Sequence, residues 1–176
     1  MTDRRRFILN AFAAIWGMTG LSGVLIFAIY RLGRISLAAA EEDWHVWHWI
    51  TLIVNLLFMA YAEGYRGFQR RFSPRSAARA FYLYQHGGLF NGLLAPLFCA
   101  GYFAASRRTM LVIWIGTVAI VVLVLLLQQI EQPWRGIIDW GVVIGLTWGV
   151  LSFWVMLFQT FSAGRYQYSP DIPNHA

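Results

Sequence analysis

Residues 109–130 read TMLVIWIGTVAIVVLVLLLQQI, with no charge and no proline. A helix rises about 1.5 Å per residue, and the hydrocarbon layer of a bilayer is about 30 Å thick. This stretch is therefore long enough to cross a membrane once. Working outward, four more apolar stretches reach that length: Ile137–Phe161 after it, and Ala80–Ala104, Trp44–Tyr65 and Phe7–Tyr30 before it. Lipid offers the backbone no hydrogen-bond partner, and the short alternating strands of a barrel are missing, so the spans are expected to be helices.

Composition agrees. Apolar residues make up 59% of the 176 and charged residues 12%, against roughly 45–50% and about a quarter in soluble domains. Such a chain could not cover a water-facing surface. Its aromatic content also excludes a disordered or collagen-like chain. The expected fold is an all-α polytopic membrane helix bundle in one domain, residues 1–161, followed by a loose polar tail, 162–176. Five transmembrane helices are expected. The alternative is four, with a re-entrant hairpin at 80–104.

Charge bears on that choice. All fourteen basic residues are arginine, and the net charge is +6. With five spans and a cytoplasmic N-terminus, nine arginines fall inside and five outside. With the hairpin, the division is eleven against three, leaving only Arg31, Arg34 and Arg135 outside. The positive-inside rule favours the hairpin, and Gly87-Gly88, Asn91-Gly92 and Pro96 offer places to break a helix. Length favours a full span, since 25 residues of helix reach about 37 Å. The all-arginine usage suggests a GC-rich bacterium, so the expected location is its inner (plasma) membrane. Asp3-Arg4-Arg5-Arg6-Phe7-Ile8 resembles a twin-arginine export motif, but the apolar stretch behind it is longer than a signal core of about 7–15 residues. The first helix is read as retained.

The clearest packing pattern lies in the last span. Gly141, Gly145 and Gly149 recur every four residues, a glycine zipper along one helix face that admits a close backbone approach. Gly88 and Gly92 repeat the spacing in Ala80–Ala104, so the third and fifth helices are expected to pack together. A kink is expected near Pro96, which has no N–H to donate.

Ionisable residues inside spans are costly and are functional candidates by default. His45 and His48, three apart on one helix face, could hold a metal but lack further ligands. A haem between His48 and His86 would need them close, whereas the five-span arrangement separates them by ~15–20 Å; no cofactor is expected. Glu63, His86 and Asp139 all fall near the inner face in that arrangement. They could form a cluster that passes protons or binds a cation, with Arg66 three residues from Glu63. The plain alternative pairs Glu63 with Arg66 and leaves Asp139 to its own helix end. No zinc-helix, nucleophile-elbow or phosphate-loop motif is present, so enzymatic activity is not expected. No basic stripe lies outside the segment ends, and nucleic acid is not an expected partner. The expected partners are the lipid bilayer, anionic lipid at Arg66–Arg79, and a second copy or another membrane subunit. Cys99 is the lone cysteine and cannot form an intrachain disulfide. The expected role is structural, accessory or assembly-related through helix packing, with a minimal proton- or cation-coupled transporter as the alternative.

Overall fold

The computed structural model describes residues 3–173, whose regular elements are all helices, with no strand among them. In chain order the elements are α1 (Asp3–Ala39), α2 (Val46–Met59), a π-helical segment (Ala60–Phe72), α3 (Ser73–His86), α4 (Leu89–Leu93), α5 (Ala95–Ala100), α6 (Arg107–Leu127) and α7 (Trp134–Ala163). Among the described residues four helices are long and apolar enough to cross a membrane: Arg4–Ala39, Val46–His86, Arg107–Leu127 and Trp134–Ala163.

The second of these corrects the expected division at Tyr65. The residues capping α2 and the π segment, Ala60 and Ser73, keep right-handed helical dihedrals, so one helix runs from Val46 to His86. The arginine-studded stretch from Arg66 to Arg79 continues the helix rather than linking two spans. Arginine is a good helix former. Pro74 is tolerated because a wider π turn precedes it. In a regular α-helix its ring would clash with the carbonyl four residues earlier.

Ala80–Ala104 is not one helix. It breaks where only glycine is comfortable: Gly87 and Gly88 have φ of 59° and 120°. The chain turns back there, and Asn10 of α1 lies against Gly87 and donates from Nδ2 to the Gln85 carbonyl. A second break at Leu94 precedes Ala95-Pro96, at the point expected for the kink. Gly101, with φ 93°, ends α5. α3 and α4–α5 thus form a helical hairpin folded against the first half of α1. Gly92 faces Ala13, Gly17 faces Ala95 and Cys99, and Gly20 faces Pro96.

α7 runs alongside the long second helix in the same direction. Trp134 packs on His48 at one end, and Phe161 packs on Phe81 and Tyr84 at the other. α1 runs opposite to both, with Gly136 of α7 against Ala39 near its C-terminus and Tyr84 of α3 against Phe7 near its N-terminus. The core where these helices meet includes Ala14, Leu21, Ala80, Leu83, Phe98 and Phe153. α6 stands apart. It makes at most passing contact with the other helices, and most of its side chains are exposed. It is tied down over its first half, where Tyr102 bonds Thr117 through its hydroxyl at 2.7 Å and takes the Trp114 indole N–H on its carbonyl.

Within the tail, residues 162–169 are exposed. Residues 170–172 dock on α3 and α6 as set out below, and Ile172 packs against the core. Residues 174–176 of the expected tail lie outside the described residues.

Candidate functional site

The glycine face of α7 meets the π segment rather than the 80–104 hairpin. A π helix has more residues per turn than an α-helix, because its hydrogen bonds reach one residue further. Positions on its facing side therefore recur at longer intervals. Gly141 lies against Asn55 and Met59, Gly145 against Glu63, and Gly149 against Phe68. The partners advance by four and then five while the glycines advance by four. The fit is reciprocal at Gly64, where an added Cβ would stand 2.9 Å from Trp148 Cβ. Beyond the π segment, the Ser73 and Ser152 hydroxyls share a buried hydrogen bond of 2.8 Å. At the other end Asn55 Nδ2 donates to the Ile137 carbonyl at 2.7 Å. The expected partners Gly88 and Gly92 are elsewhere. Gly88 makes the turn of the hairpin, and Gly92 faces α1.

Nor does the structure bring Glu63, His86 and Asp139 together. Glu63 sits opposite Gly145, whereas His86 ends α3 beyond Phe81, which packs on Phe161. Between Gly145 and Phe161, α7 rises about 24 Å. His86 stacks on Tyr82 with ring centroids 4.5 Å apart. Asp139 is nearer, about 9 Å from Gly145 along the axis. It is 2% exposed, and its carboxylate faces Arg135 Nε at 3.8 Å. This is the ion pair among the described residues; Glu63 makes none with Arg66. α7 begins at Trp134, so Asp139 lies past the first turn where it was expected.

His45 and His48 form a local helix start. The His45 backbone N–H donates to His48 Nδ1 at 3.1 Å, and the two rings stack at 5.7 Å. His48 also packs edge-on against Trp134. Trp44 secures this turn by donating its indole N–H to the Ala39 carbonyl at 2.6 Å. Among the described residues no group of three His, Cys, Asp or Glu is arranged to hold a metal ion. His48 and His86 lie at opposite ends of one helix. α7, whose ends pack near them, rises about 40 Å from Trp134 to Phe161, well beyond the expected separation.

A side chain that the sequence did not single out, Arg79, makes hydrogen bonds to four backbone carbonyls. Arg79 is 0% exposed. Its Nε donates to the Phe98 carbonyl at 2.6 Å, and one terminal nitrogen to Phe103 at 2.7 Å. The other terminal nitrogen reaches the carbonyls of Ala104 and Pro170, each at 3.0 Å. The guanidinium lies 4.1 Å over the Phe98 ring. Arg79 thus joins α3, the loop leading to α6, and the tail. Asp171 extends this network. Its carboxylate accepts from Ser106 Oγ at 3.0 Å, and Ser106 caps α6 through Thr109 N–H. The sequence did carry a signal: Ser76-Ala77-Ala78-Arg79-Ala80 surrounds the arginine with small residues, as close packing requires. Arg79 is therefore not lipid-facing, although Arg66, Arg70 and Arg71 are exposed.

Two cavities adjoin on the flank of the π segment. One, of ≈ 320 Å³, is lined by Tyr65, Gln69, Arg70, Pro74, Met156 and Tyr168. The other, of ≈ 300 Å³, shares Gln69 and Met156 and continues over Trp148, Leu151, Ser152 and Val155. Gln69 Oε1 accepts from Trp148 Nε1 at 2.7 Å. Indole N–H only donates, so the amide is fixed with its oxygen toward Trp148 and its NH₂ turned away. Compared with protein-family models, curated proteins and solved structures, the chain matches none.

Proposed function

We propose that this chain is a multi-pass protein of a bacterial inner membrane, with four crossings and a cytoplasmic N-terminus, and that its role is structural or accessory: it holds helices of another chain against its own. The observation that carries this is α6. It is 21 residues long, free of charge after Arg107-Arg108, and almost free of contacts with the other helices. At its middle Gly116 has open space where a Cβ would be, as do Gly23 and Gly33 on α1. Between membrane helices association comes from close packing, and small residues on an open face permit it. Four crossings rather than five are supported by the fold-back of 80–104, which sets Ser106 beside Asp171 and Ala104 beside Arg79. The arginines then divide eleven to three, the stronger positive-inside bias.

The test is cross-linking through a cysteine at position 116, together with the mass of the detergent-solubilised complex. We expect a cross-linked species containing a second chain from the cysteine variant, and a complex mass that falls to that of the monomer in Gly116→Leu while the monomer keeps its thermal stability. A monomer that never cross-links at 116 in its native membrane would overturn the assembly role. The transport reading has less support, because it rested on a Glu63–His86–Asp139 cluster whose members lie apart.

A further inference from the structure

The two cavities beside Gln69 differ in kind and share a border. One is ringed by an arginine, an amide and two phenols. The other is walled by Trp148, Leu151, Val155 and Met156. That is the shape of an amphiphile. Arg70 is exposed and makes no ion pair among the described residues; its guanidinium lies 5.8 Å from the centre of the Tyr65 ring. Arg66 and Arg71 lie exposed on the same helical segment. Of the acids near this flank, Glu63 faces Gly145, and Asp171 is engaged with Ser106. Positive charge is therefore uncompensated here. The site also lies at a suitable depth. Tyr168, on its polar side, is three residues from Asp171, which marks the start of apolar α6.

We infer that these cavities form one binding site for an anionic phospholipid, its phosphate held by Arg70 with the Gln69 amide and Tyr168, and an acyl chain lying over Leu151 and Val155 against Trp148. This rests on the membrane reading above and not on the assembly role. Arginine's planar fork suits phosphate oxygens. Gln69 links the two halves, because the bond to Trp148 that fixes its oxygen frees its NH₂ for the headgroup. The tail closes the polar side through Tyr168, and Arg79 anchors the tail through Pro170. The Arg79 cage therefore positions one wall of the site.

The full chain in mild detergent, titrated by native mass spectrometry with phosphatidylglycerol and with phosphatidylcholine of the same acyl chains, tests this. We expect preferential binding of phosphatidylglycerol. Arg70→Gln should weaken it about tenfold, the loss of one charge-assisted hydrogen bond, while Arg31→Gln, at the other end of the bundle, should leave it unchanged. Leu151→Gln and Val155→Trp alter the apolar half at exposed positions and should weaken both lipids. Free glycerol phosphate should bind far more weakly than the lipid. Equal losses in Arg70→Gln and Arg31→Gln would mean diffuse surface attraction and overturn the site. So would glycerol phosphate binding as well as lipid, or apolar-half variants that bind normally. A chain that stays monodisperse without detergent would instead overturn the membrane reading.

Discussion

The ring of Phe68 lies across Gly149. A Cβ built on that glycine would stand 2.7 Å from both Cγ and Cδ1 of the ring. Real side chains do not approach so closely, so α7 touches the π segment only because position 149 is bare. At Gly145 the facing group is Glu63, whose carboxylate oxygen would stand 3.0 Å from the added carbon.

Gly149→Leu should therefore force the two helices apart. Overpacking a tight interface costs about 1–3 kcal/mol, and a leucine against a ring should fall at the upper end. Gly145→Leu should cost somewhat less, because its closest contacts, Glu63 Oε2 at 3.0 Å and Cβ at 3.1 Å, are longer than those at Gly149 and the carboxylate can swing away. Gly116→Leu, in open space, should leave the melting temperature of the monomer unchanged. Thermal melts of the three variants in one detergent check the order.

Arg79 offers a second test. Arg79→Met keeps the apolar stem but leaves the Phe103, Ala104 and Pro170 carbonyls without their donor, while the Phe98 carbonyl keeps only the Gly101 N–H. Each buried group left unpaired costs about 1–3 kcal/mol, less where water can reach it. The total should be several kcal/mol, enough to make the variant aggregate or melt far below wild type. Arg79→Lys should rescue little, because an ammonium cannot span carbonyls set around a planar fork. A lysine variant as stable as wild type would show that the charge alone matters.

Much of this architecture could be read from the residues, and the failures have physical causes. Thr109–Ile130 and Ile137–Phe161 lie within three residues of α6 and α7 at each end, because an uninterrupted apolar run can do little else in lipid. α1 outran its expected end at Tyr30 because Arg31 and Arg34 change polarity without breaking a helix. The same misreading split Val46–His86, where dense arginine looked like a connection. The glycine face of α7 was legible as a packing surface, but its partner was not. Spacing records that something approaches closely, and only the fold decides what. Arg79 was hidden for a related reason: a sequence shows a charge but not the carbonyls that solvate it.

Removing the tail should loosen the start of α6. Asp171→Ala breaks the bond to Ser106 Oγ and removes a carboxylate from the N-terminal end of a helix, where it is favourable. The expected loss is about 1 kcal/mol, well below that of Arg79→Met. Hydrogen exchange should show faster exchange at residues 101–109 and little change in α7. Uniform acceleration over the whole chain would mean that the tail holds the global fold instead.

Sidedness gives the most direct test of the four-crossing arrangement, and the wild-type chain is its own unlabelled background. Cys99 is 0% exposed, packed where Gly17 and Ala95 come close. A thiol with no exposed surface is out of maleimide's reach, so the folded wild type should not label. Single cysteines at 107 and 165 should then label from the side that carries Arg4–Arg6, and cysteines at 34 and 135 from the opposite side. The position at 107 decides the count. If 80–104 folds back, the chain reaches Arg107 on the side it left at Arg79, as the shared hydrogen bonds of Arg79 to Phe103 and Ala104 imply. If the stretch crossed, 107 would label with 34, and 135 with the N-terminus. That reversed pattern would restore five crossings and require the 80–104 hairpin to open in the bilayer.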